Sequence, residues 1–358
     1  MSFFIAFIIS VGVVLLILGS NKYHYHFTHD HDLSGIQKYH TQPTPRIGGI
    51  AIFLGFIFAI LISTTQTTIS LKYDIGMILS LSIVFFAGIL EDLTKRITPF
   101  QRMLMFLVAA LIAIYVTQSL LIITYADVAW LDHAMMSYPI IGLGLSLFCA
   151  IGLANAYNII DGYNGLSATV AIINLLSLAV LAYIIQDITT ARIAYAMLGS
   201  VAGFLVFNYP RGRIFLGDGG AYLLGFSIAL LSIYIIHTNL GFISPYAVLL
   251  FAVYPITEIG FSIYRRKLLL KTHGMKADNM HLHQLIYHRC IPIMAKNKNA
   301  RVMPLMLPFI LPQIILGLIF YKSTPICLLL ILAFIIFYVV SYFKIVRFKT
   351  FSFLKYML

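Results

Sequence analysis

Charged residues are scarce in this sequence, and acidic residues are the scarcest of them. Only 10% of its 358 residues are Asp, Glu, Lys or Arg, and just 12 residues are acidic. With 61% apolar residues and a mean hydropathy of +0.95, the chain has too few polar side chains to cover a soluble protein. The composition therefore excludes a soluble globular domain and indicates an integral membrane protein.

Cysteine is also scarce. Cys149, Cys290 and Cys327 form no CxxC pattern, so neither a disulfide framework nor a cysteine zinc site is expected. The sequence lacks an internal repeat, a low-complexity linker and a polar stretch long enough for a soluble domain. We therefore expect residues 1–358 to form a single polytopic membrane domain, with its motifs between residues 40 and 290.

Long apolar runs, by contrast, are abundant. A helix needs about 20 apolar residues to cross ~30 Å of hydrocarbon, and about eleven stretches approach that length. They run approximately over residues 2–19, 47–62, 75–90, 103–124, 139–154, 168–185, 191–208, 219–236, 245–264, 303–321 and 325–343. The predicted fold is all-α, a polytopic membrane protein with about eleven transmembrane helices.

Basic residues determine the predicted orientation, because Lys and Arg accumulate in short cytoplasmic loops. With the N-terminus outside, only Lys72, Arg192 and Lys322 of the 24 basic residues lie in outer segments. The C-terminus is then cytoplasmic. This asymmetry, with affinity for anionic membrane lipids and anionic substrates, accounts for the formal net charge of +12, so no nucleic-acid partner is expected.

The few acidic residues gather on the predicted inner face. Glu91, Asp92, Asp161 and Asp218 each lie at or beside the end of an apolar run, and the parity of the runs places all of these ends on one side. An isolated charge at the edge of the hydrocarbon is costly and usually functional. These dispersed acids therefore form one candidate active site.

The first two inner loops combine basic residues with glycines or acids. The first, HTQPTPRIGG from His40, offers Arg46 as a forked phosphate donor beside two glycines. The second, EDLTKRITPFQR, places Glu91 and Asp92 where a shared cation or proton would relieve their repulsion, and Lys95 or Arg96 is a candidate for neutralising phosphate. A Pro/Gly turn and a solvated helix end are the structural alternatives.

The third inner loop, NAYNIIDGYNGLS, is the most specific of the five. Asn155, Asn158 and Asp161 are spaced three apart, which places them on one face of a helix end. The glycines after Asp161 and Asn164 permit a tight polar turn. Because the segment contains no Lys or Arg, it is not a positive-inside anchor. A ligand-binding turn explains it better than a plain break between helices.

The fourth inner loop, YPRGRIFLGDGGAYLLGF, contains Arg211 and Arg213 and then sets Asp218 between glycines where the next helix begins. Mg²⁺ commonly binds one or two carboxylates together with substrate phosphates, and Mn²⁺ accepts similar ligands. We therefore predict that Asp218 is a metal ligand. The structural alternative is a helix cap.

The fifth inner loop, residues 265–301, contains NMHLHQLIYHR. For His281 and His283 we favour phosphate or substrate contact over a structural role, and both over a zinc site, because no paired cysteines lie nearby. Glu258 lies in the preceding run, either as a functional acid or as the ion-pair partner of the arginines that follow it. The run HYHFTHDHD, from His24, is attributed to a solvated interfacial segment rather than to a metal site.

Together these motifs resemble those of the polyprenyl-phosphate N-acetylhexosamine-1-phosphate transferases, glycosyltransferase family 4. The segments NAYNIIDGYNG and GDGGAYLLGF carry most of the likeness, which extends from TPRIGG at Thr44 to HLHQ at His281 with the motifs in the family's order. The HxH element and TPRIGG are more similar to the glycan-priming branch than to the peptidoglycan branch.

The resemblance implies a Mg²⁺-dependent enzyme of the bacterial inner membrane with its active site on the cytoplasmic face. It would transfer a HexNAc-1-phosphate from a UDP-HexNAc to undecaprenyl phosphate and release UMP, as the first membrane step of O-antigen or a related surface glycan. The implied roles are Asp218 for Mg²⁺, Asp92 for the base or the lipid phosphate, Asp161, Asn155 and Asn158 for the nucleotide side, and His281 and His283 for the phosphates or sugar.

Three positions depart from the family's pattern. Glu91 stands where Asp is usual, Asn164 replaces the second Asp of the DGxDG turn, and Gln284 follows HxH where another histidine often occurs. Asn164 still offers hydrogen bonds to a uracil. The alternatives are a secondary transporter, a CDP-alcohol phosphatidyltransferase and the peptidoglycan branch of the same family, and a homodimer is left open.

Overall fold

The computed structural model describes residues 1–30, 43–63, 68–269, 280–292 and 295–347, and it leaves out the side chains of residues 30, 68–70 and 268–269. His31, Asp32 and His40 of the motifs above lie outside these residues. Within them the chain is helical almost throughout. The helices are α1 Ser2–Gly19, α2 Asn21–Thr28, α3 Gly49–Ser63, α4 Thr68–Thr94, α5 Pro99–Val116, α6 Ala129–Ser137, α7 Pro139–Ile160, α8 Leu166–Ile184, α9 Ile188–Asn208, α10 Gly217–Thr238, α11 Pro245–Phe251, α12 Val253–Tyr264, α13 Leu282–Leu285, α14 Val302–Ile319 and α15 Thr324–Val346.

Every predicted apolar run coincides with a helix. Among the described residues nine helices are long and apolar enough to cross a membrane, α11 and α12 together form a bent span, and α3 is a shorter apolar helix. The all-α polytopic prediction is therefore confirmed. The fourth run is shorter than predicted, because α5 ends at Val116 and the residues beyond it form turns in which Gln118 and Ser119 have positive φ.

The ninth run differs from a simple span. Its two halves, Pro245–Phe251 and Val253–Lys267, meet at an angle of 78°. Pro255 explains the position of the break, because its ring removes a hydrogen bond to the carbonyl of Phe251 and clashes with that group. The bend at Ala252 leaves a space between α11–α12 and the neighbouring helices.

Helix α10 lies at the centre of the bundle. It packs against α3, α4, α7 and α8, and nearly all of its residues are buried. A helix that is apolar all round belongs in such an interior position. The first turn of α10 therefore lies among the ends of its neighbours, which brings residues distant in sequence together.

Candidate active site

Three carboxylates meet at this end of the bundle, and we call Asp92, Asp161 and Asp218 the carboxylate cluster. Asp92 lies in the last turn of α4, Asp161 is the C-cap residue of α7, and Asp218 is the second residue of α10. Two helices end here and one begins. The structure thus brings together the acids that sequence position alone had placed on one face.

Arg46 is held beside these acids by backbone hydrogen bonds. The carbonyl of Pro45 accepts from Phe215 N, while Gly48 N and Gly49 N donate to the carbonyls of Phe215 and Leu216. Strand β1, His29–Asp30, pairs antiparallel with β2, Thr44–Pro45. The TPRIGG segment is therefore fastened to the IFLG segment that precedes Asp218, which determines where Arg46 lies.

The guanidinium of Arg46 spans two of the acids. It lies 3.5 Å from Asp92 Oδ1 and 3.4 Å from Asp218 Oδ1, and Asn158 donates to the same Asp218 oxygen at 2.8 Å. Gly219 N donates to Asp92 Oδ2 at 3.1 Å. Asn158 therefore orients the Asp218 carboxylate; the contact with nucleotide predicted for it stays a prediction.

Two close approaches of backbone make this arrangement compact. A Cβ on Gly217, whose φ is +73°, would lie 2.1 Å from the Arg46 carbonyl oxygen and 2.7 Å from Asp92 Oδ2. A Cβ on Gly88 would lie 2.4 Å from the Cα of Gly219. Glycine is thus required where α4 and the Arg46 segment meet the start of α10.

Asp161 has an unusual protonation equilibrium. Burial raises its pKa to about 7; Arg46 lowers the pKa, whereas Asp218 and Asp92 raise it further. The cluster combines three acids around one arginine, so the local charge is not balanced by Arg46 alone. A site of this kind favours additional cations or shared protons.

Glu91 has a separate set of contacts. Arg102 donates from Nη1 to Glu91 Oε1 at 2.8 Å and from Nη2 to Asn155 Oδ1 at 3.2 Å. Tyr222 donates to Glu91 Oε2 at 3.3 Å, and the Arg102 guanidinium lies 5.1 Å above the Tyr222 ring. Sequence reasoning missed Arg102 and Tyr222 as site residues. The only signal for Arg102 was its place at the end of the EDLTKRITPFQR motif.

The DGYNG turn is tied to the fourth and fifth loops. Asn164 N donates to Asn299 Oδ1 at 2.7 Å, Asn164 Nδ2 donates to the Pro210 carbonyl at 3.1 Å, and Gly165 N donates to Asn208 Oδ1 at 2.7 Å. Asn208 also donates to the Ile214 carbonyl. Asn164 therefore connects the DGYNG turn to the fourth and fifth loops, a role that the sequence did not predict.

A cavity of about 670 Å³, the basic pocket, opens beside this turn. Arg211, Arg213 and Lys298 supply its positive charge, and Asn164 and Tyr287 also line it. Lys298 lies over the Tyr287 ring at 4.3 Å. The predicted phosphate-binding arginines Arg211 and Arg213 thus share one pocket.

Other predicted residues occupy different surroundings. Lys95 is exposed just after α4, with a φ of +53°. His24 bonds to Thr28 and to the Ile17 carbonyl, and the interfacial position of its run stays a prediction. Among the described residues no group of three or more His, Cys, Asp or Glu is arranged to hold a metal ion.

The HxH element is buried against α12. His281 Nδ1 lies 3.0 Å from Glu258 Oε1, and His283 Nδ1 lies 3.7 Å from Glu258 Oε2. Tyr254 contacts His283 Nδ1 at 3.1 Å. Of the two alternatives considered for Glu258, the arginine pairing is replaced here by contacts with the histidines. Burial lowers the pKa of His283, although Glu258 partly opposes that shift.

Comparison with known proteins confirms the resemblance. Residues 75–236 match the glycosyl transferase family 4 model. The chain is 28% identical to a probable undecaprenyl-phosphate N-acetylglucosaminyl 1-phosphate transferase of Bacillus subtilis (strain 168), over 93% of this chain and 88% of that one. It is 25% identical to a decaprenyl-phosphate N-acetylglucosaminephosphotransferase of Mycobacterium tuberculosis, over 71% and 67%. A Streptococcus agalactiae phospho-N-acetylmuramoyl-pentapeptide-transferase is 29% identical over 53% and 59%.

The bundle of apolar helices makes this a multi-pass membrane protein, and it contains a glycosyl transferase family 4 domain. Its homologues are polyprenyl-phosphate N-acetylhexosamine-1-phosphate transferases. The matched region includes Glu91, Asp92, Asp161 and Asp218.

Proposed function

We propose that this protein transfers a HexNAc-1-phosphate from a UDP-activated amino sugar to undecaprenyl phosphate and releases UMP. The reaction would occur at the cytoplasmic face of the bacterial plasma membrane and begin O-antigen or a related surface glycan. The carboxylate cluster around Arg46, at the end of an apolar bundle, is the observation that carries the proposal. Both substrates are anionic, so their approach requires compensating positive charge.

Mg²⁺, or Mn²⁺ in its place, suits the chemistry of this cluster. Asp218 and Asp92 offer carboxylate oxygens, and Asp92 Oδ1 is buried and makes no hydrogen bond, although Arg46 lies 3.5 Å away. Mg²⁺ typically uses one or two carboxylates and completes its shell with water and substrate phosphate. Asp218 would be the ligand and Asp92 its neighbour. The bound ion would neutralise charge on the pyrophosphate.

The remaining chemistry is mainly positioning, as in other phosphoryl transfers. A phosphate monoester has a second pKa near ~6, so most of the lipid phosphate is already a nucleophile at neutral pH. Its oxygen attacks the phosphorus that bears the sugar, and the bond from that phosphorus to UMP breaks. Asp92 orients the lipid phosphate, while Arg46 offsets the charge. Trapping of a phosphorylated enzyme during turnover would contradict this single step.

The basic pocket supports an anionic donor. Its arginines and Lys298 suit the phosphates of a UDP-sugar, and Asn164 offers amide groups to a base. Asp161 joins the two regions, because it lies in the same turn as Asn164 and interacts electrostatically with Arg46 and Asp218.

The acceptor requires an apolar binding surface, and one is present. A cavity of about 360 Å³, the apolar groove, lies between α7, α10 and the bent pair α11–α12. It extends from Tyr125 past Gly152 and Ala252 to Ile259, and its lining is almost wholly apolar. Such a groove suits part of a polyprenyl chain, because its apolar lining matches the hydrocarbon in which the chain lies, and close packing would hold the chain there.

The proposal is tested with purified protein, undecaprenyl phosphate, Mg²⁺ and a panel of UDP-HexNAc donors, with UMP release as the readout. At least one donor should react, and Asp218→Asn should abolish the reaction. Asp74→Asn is the matched control, because Asp74 is buried against Arg192 at 2.5 Å and lies about 27 Å along α4 from Asp92. Full activity of Asp218→Asn would refute the metal assignment.

A secondary transporter is distinguished by a second reaction. The transferase should exchange label between UMP and the UDP-sugar only when lipid phosphate is present, because the reversal needs the lipid-linked product. Transport sites usually lie near the bilayer midplane, whereas these acids lie at helix ends. Solute uptake by vesicles without such exchange would favour a transporter.

A further inference from the structure

Glu258 is a buried acid whose carboxylate faces the HxH element. Only 1% of it is exposed. Its Oε1 accepts from Leu282 N at 3.1 Å and lies 3.0 Å from His281 Nδ1, while Oε2 lies 3.7 Å from His283 Nδ1. A buried carboxylate is costly unless such contacts compensate it. One side chain of α12 thus bonds to His281 and lies within ion-pair distance of His283, although its Oε2 makes no hydrogen bond.

The two imidazole rings are oriented alike. They are parallel within 2°, with centroids 5.4 Å apart. Because both Nδ1 edges face Glu258, both Nε2 edges face away from it. His283 Nε2 is buried, makes no hydrogen bond, and lies 3.8 Å from where a Cβ on Gly162 would be. The unbonded edge therefore points at the turn that contains Asp161.

A carboxylate bonded to Nδ1 has a known effect on histidine. It selects the tautomer and the ring orientation and leaves Nε2 available for chemistry at the opposite edge. Tyr254 adds a second contact at His283 Nδ1. His283 thus has Tyr254 and Glu258 at its Nδ1 edge and no hydrogen bond at Nε2. This orientation leaves Nε2 available to a ligand.

We infer that Glu258 is a positioning residue, which holds His281 and His283 so that their Nε2 edges contact phosphate or sugar oxygens of the nucleotide-sugar donor beside the Asp161 turn. This inference rests on the proposed function. Glu258 would affect the reaction through the two histidines and would not contact the substrate itself.

Glu258→Gln keeps the shape of the side chain but removes its charge. We expect kcat/KM for the donor to fall by about 10- to 100-fold, the loss typical when the carboxylate that orients a metal-ligating histidine is replaced. Glu258→Asp should recover part of that loss. The apparent Tm is measured for each variant and compared with Asp74→Asn, which also removes a buried charge but should leave kcat/KM unchanged.

The pH profile separates positioning from a merely structural role. Glu258 raises the pKa of His283, so its loss should lower that pKa further. The histidine-dependent limb of the profile therefore moves to lower pH, whether the neutral or the protonated ring is active. Among the described residues, the phenols of Tyr254 and Tyr163 face the pair and that of Tyr338 faces Glu258, and phenols ordinarily titrate near ~10. Arg265, which donates to the Met280 carbonyl beside His281, keeps its charge throughout the profile. An unmoved limb would contradict the inference.

A double-mutant cycle gives the decisive comparison. In a His281→Ala/His283→Ala background, Glu258→Gln should cause little further loss, because its effect acts through the rings already removed. Additive losses would overturn the inference. UMP affinity, measured by calorimetry on the same purified variants, should show the same non-additivity.

The UMP measurement also keeps the inference separate from the proposed function. If the wild type transferred no HexNAc-1-phosphate from any donor, the proposed function would fail. The double-mutant cycle measured by UMP affinity would still test the role of Glu258. A wild-type protein that binds no UMP would refute that role.

Discussion

Gly217 allows the backbone to approach the carboxylate cluster closely, because it has no side chain. Alanine at Gly217 would have to adopt left-handed backbone, which costs roughly 1–2 kcal/mol, and its Cβ would overlap the Arg46 carbonyl and Asp92 Oδ2. Because a shift of ~1 Å in reacting groups can cost about 100-fold in rate, we expect a loss of that order in kcat/KM for Gly217→Ala. Gly144→Ala is the control, since nothing lies within 4 Å of a Cβ there. An active Gly217→Ala variant would show that the cluster tolerates displacement.

The protonation of Asp161 predicts how stability depends on pH. Its pKa is raised from 3.8 to about 7, chiefly by burial, so the folded protein binds this proton more tightly than the unfolded chain. Stability therefore declines as pH rises from about 4 to about 7 and then levels off. Asp161→Asn should remove this decline. The apparent Tm of both proteins is compared between pH 5 and 8 without divalent cations, and parallel curves would contradict the prediction.

Single residues also show how far the sequence could predict the site. The acids could be found, because a charge at the membrane edge is costly and few charges exist to choose from. Their partners could not. Arg102 serves Glu91 and Asn155 at once, and that contact exists only because α4, α5 and α7 pack together.

At the scale of helices, the bend at Ala252 opens the apolar groove, and α7 forms its opposite wall. Gly152 lines the groove, and a Cβ there would meet nothing within 4 Å. Gly152→Leu should therefore fill the groove without disturbing α7. We expect a several-fold higher KM for undecaprenyl phosphate and an unchanged KM for the donor.

The same helix supplies a matched control for this substitution. Gly144 is also open to a Cβ but does not line the groove, so Gly144→Leu should leave both KM values unchanged. If Gly152→Leu and Gly144→Leu behaved alike, the acceptor chain would have to bind elsewhere.

The helices themselves were predictable, because a run of about 20 apolar residues has few alternatives to a span. Their irregularities were less so. Pro255 lies inside the ninth run and marks its break, yet Pro308 and Pro312 lie within α14, which continues past both. Whether a proline breaks a helix depends on the surrounding packing, which periodicity does not report.

At the scale of the whole molecule, the candidate site arises because helices of opposite direction meet around α10. Parity of the apolar runs predicted that Asp92, Asp161 and Asp218 share one face, and the structure places them together. Hydrogen bonds between residues distant in sequence also hold this end of the bundle together, such as those of Asn164 with Asn299 and Arg46 with Asp218. They depend on tertiary packing and could not be predicted from the sequence.

The charge distribution further predicts which end faces the cytoplasm. Arg96 follows α4 at the end of the bundle where the carboxylate cluster lies, whereas Lys322 lies between α14 and α15. Both side chains are exposed. With Cys149, Cys290 and Cys327 replaced by serine, Lys322→Cys should react with a membrane-impermeant maleimide applied to spheroplasts, and Arg96→Cys should react only after permeabilisation. Basic loops resist translocation, so this pattern would place UDP-sugar and UMP in the compartment where nucleotides are made. The reverse labelling would put the cluster outside and would be incompatible with a cytoplasmic nucleotide-sugar donor.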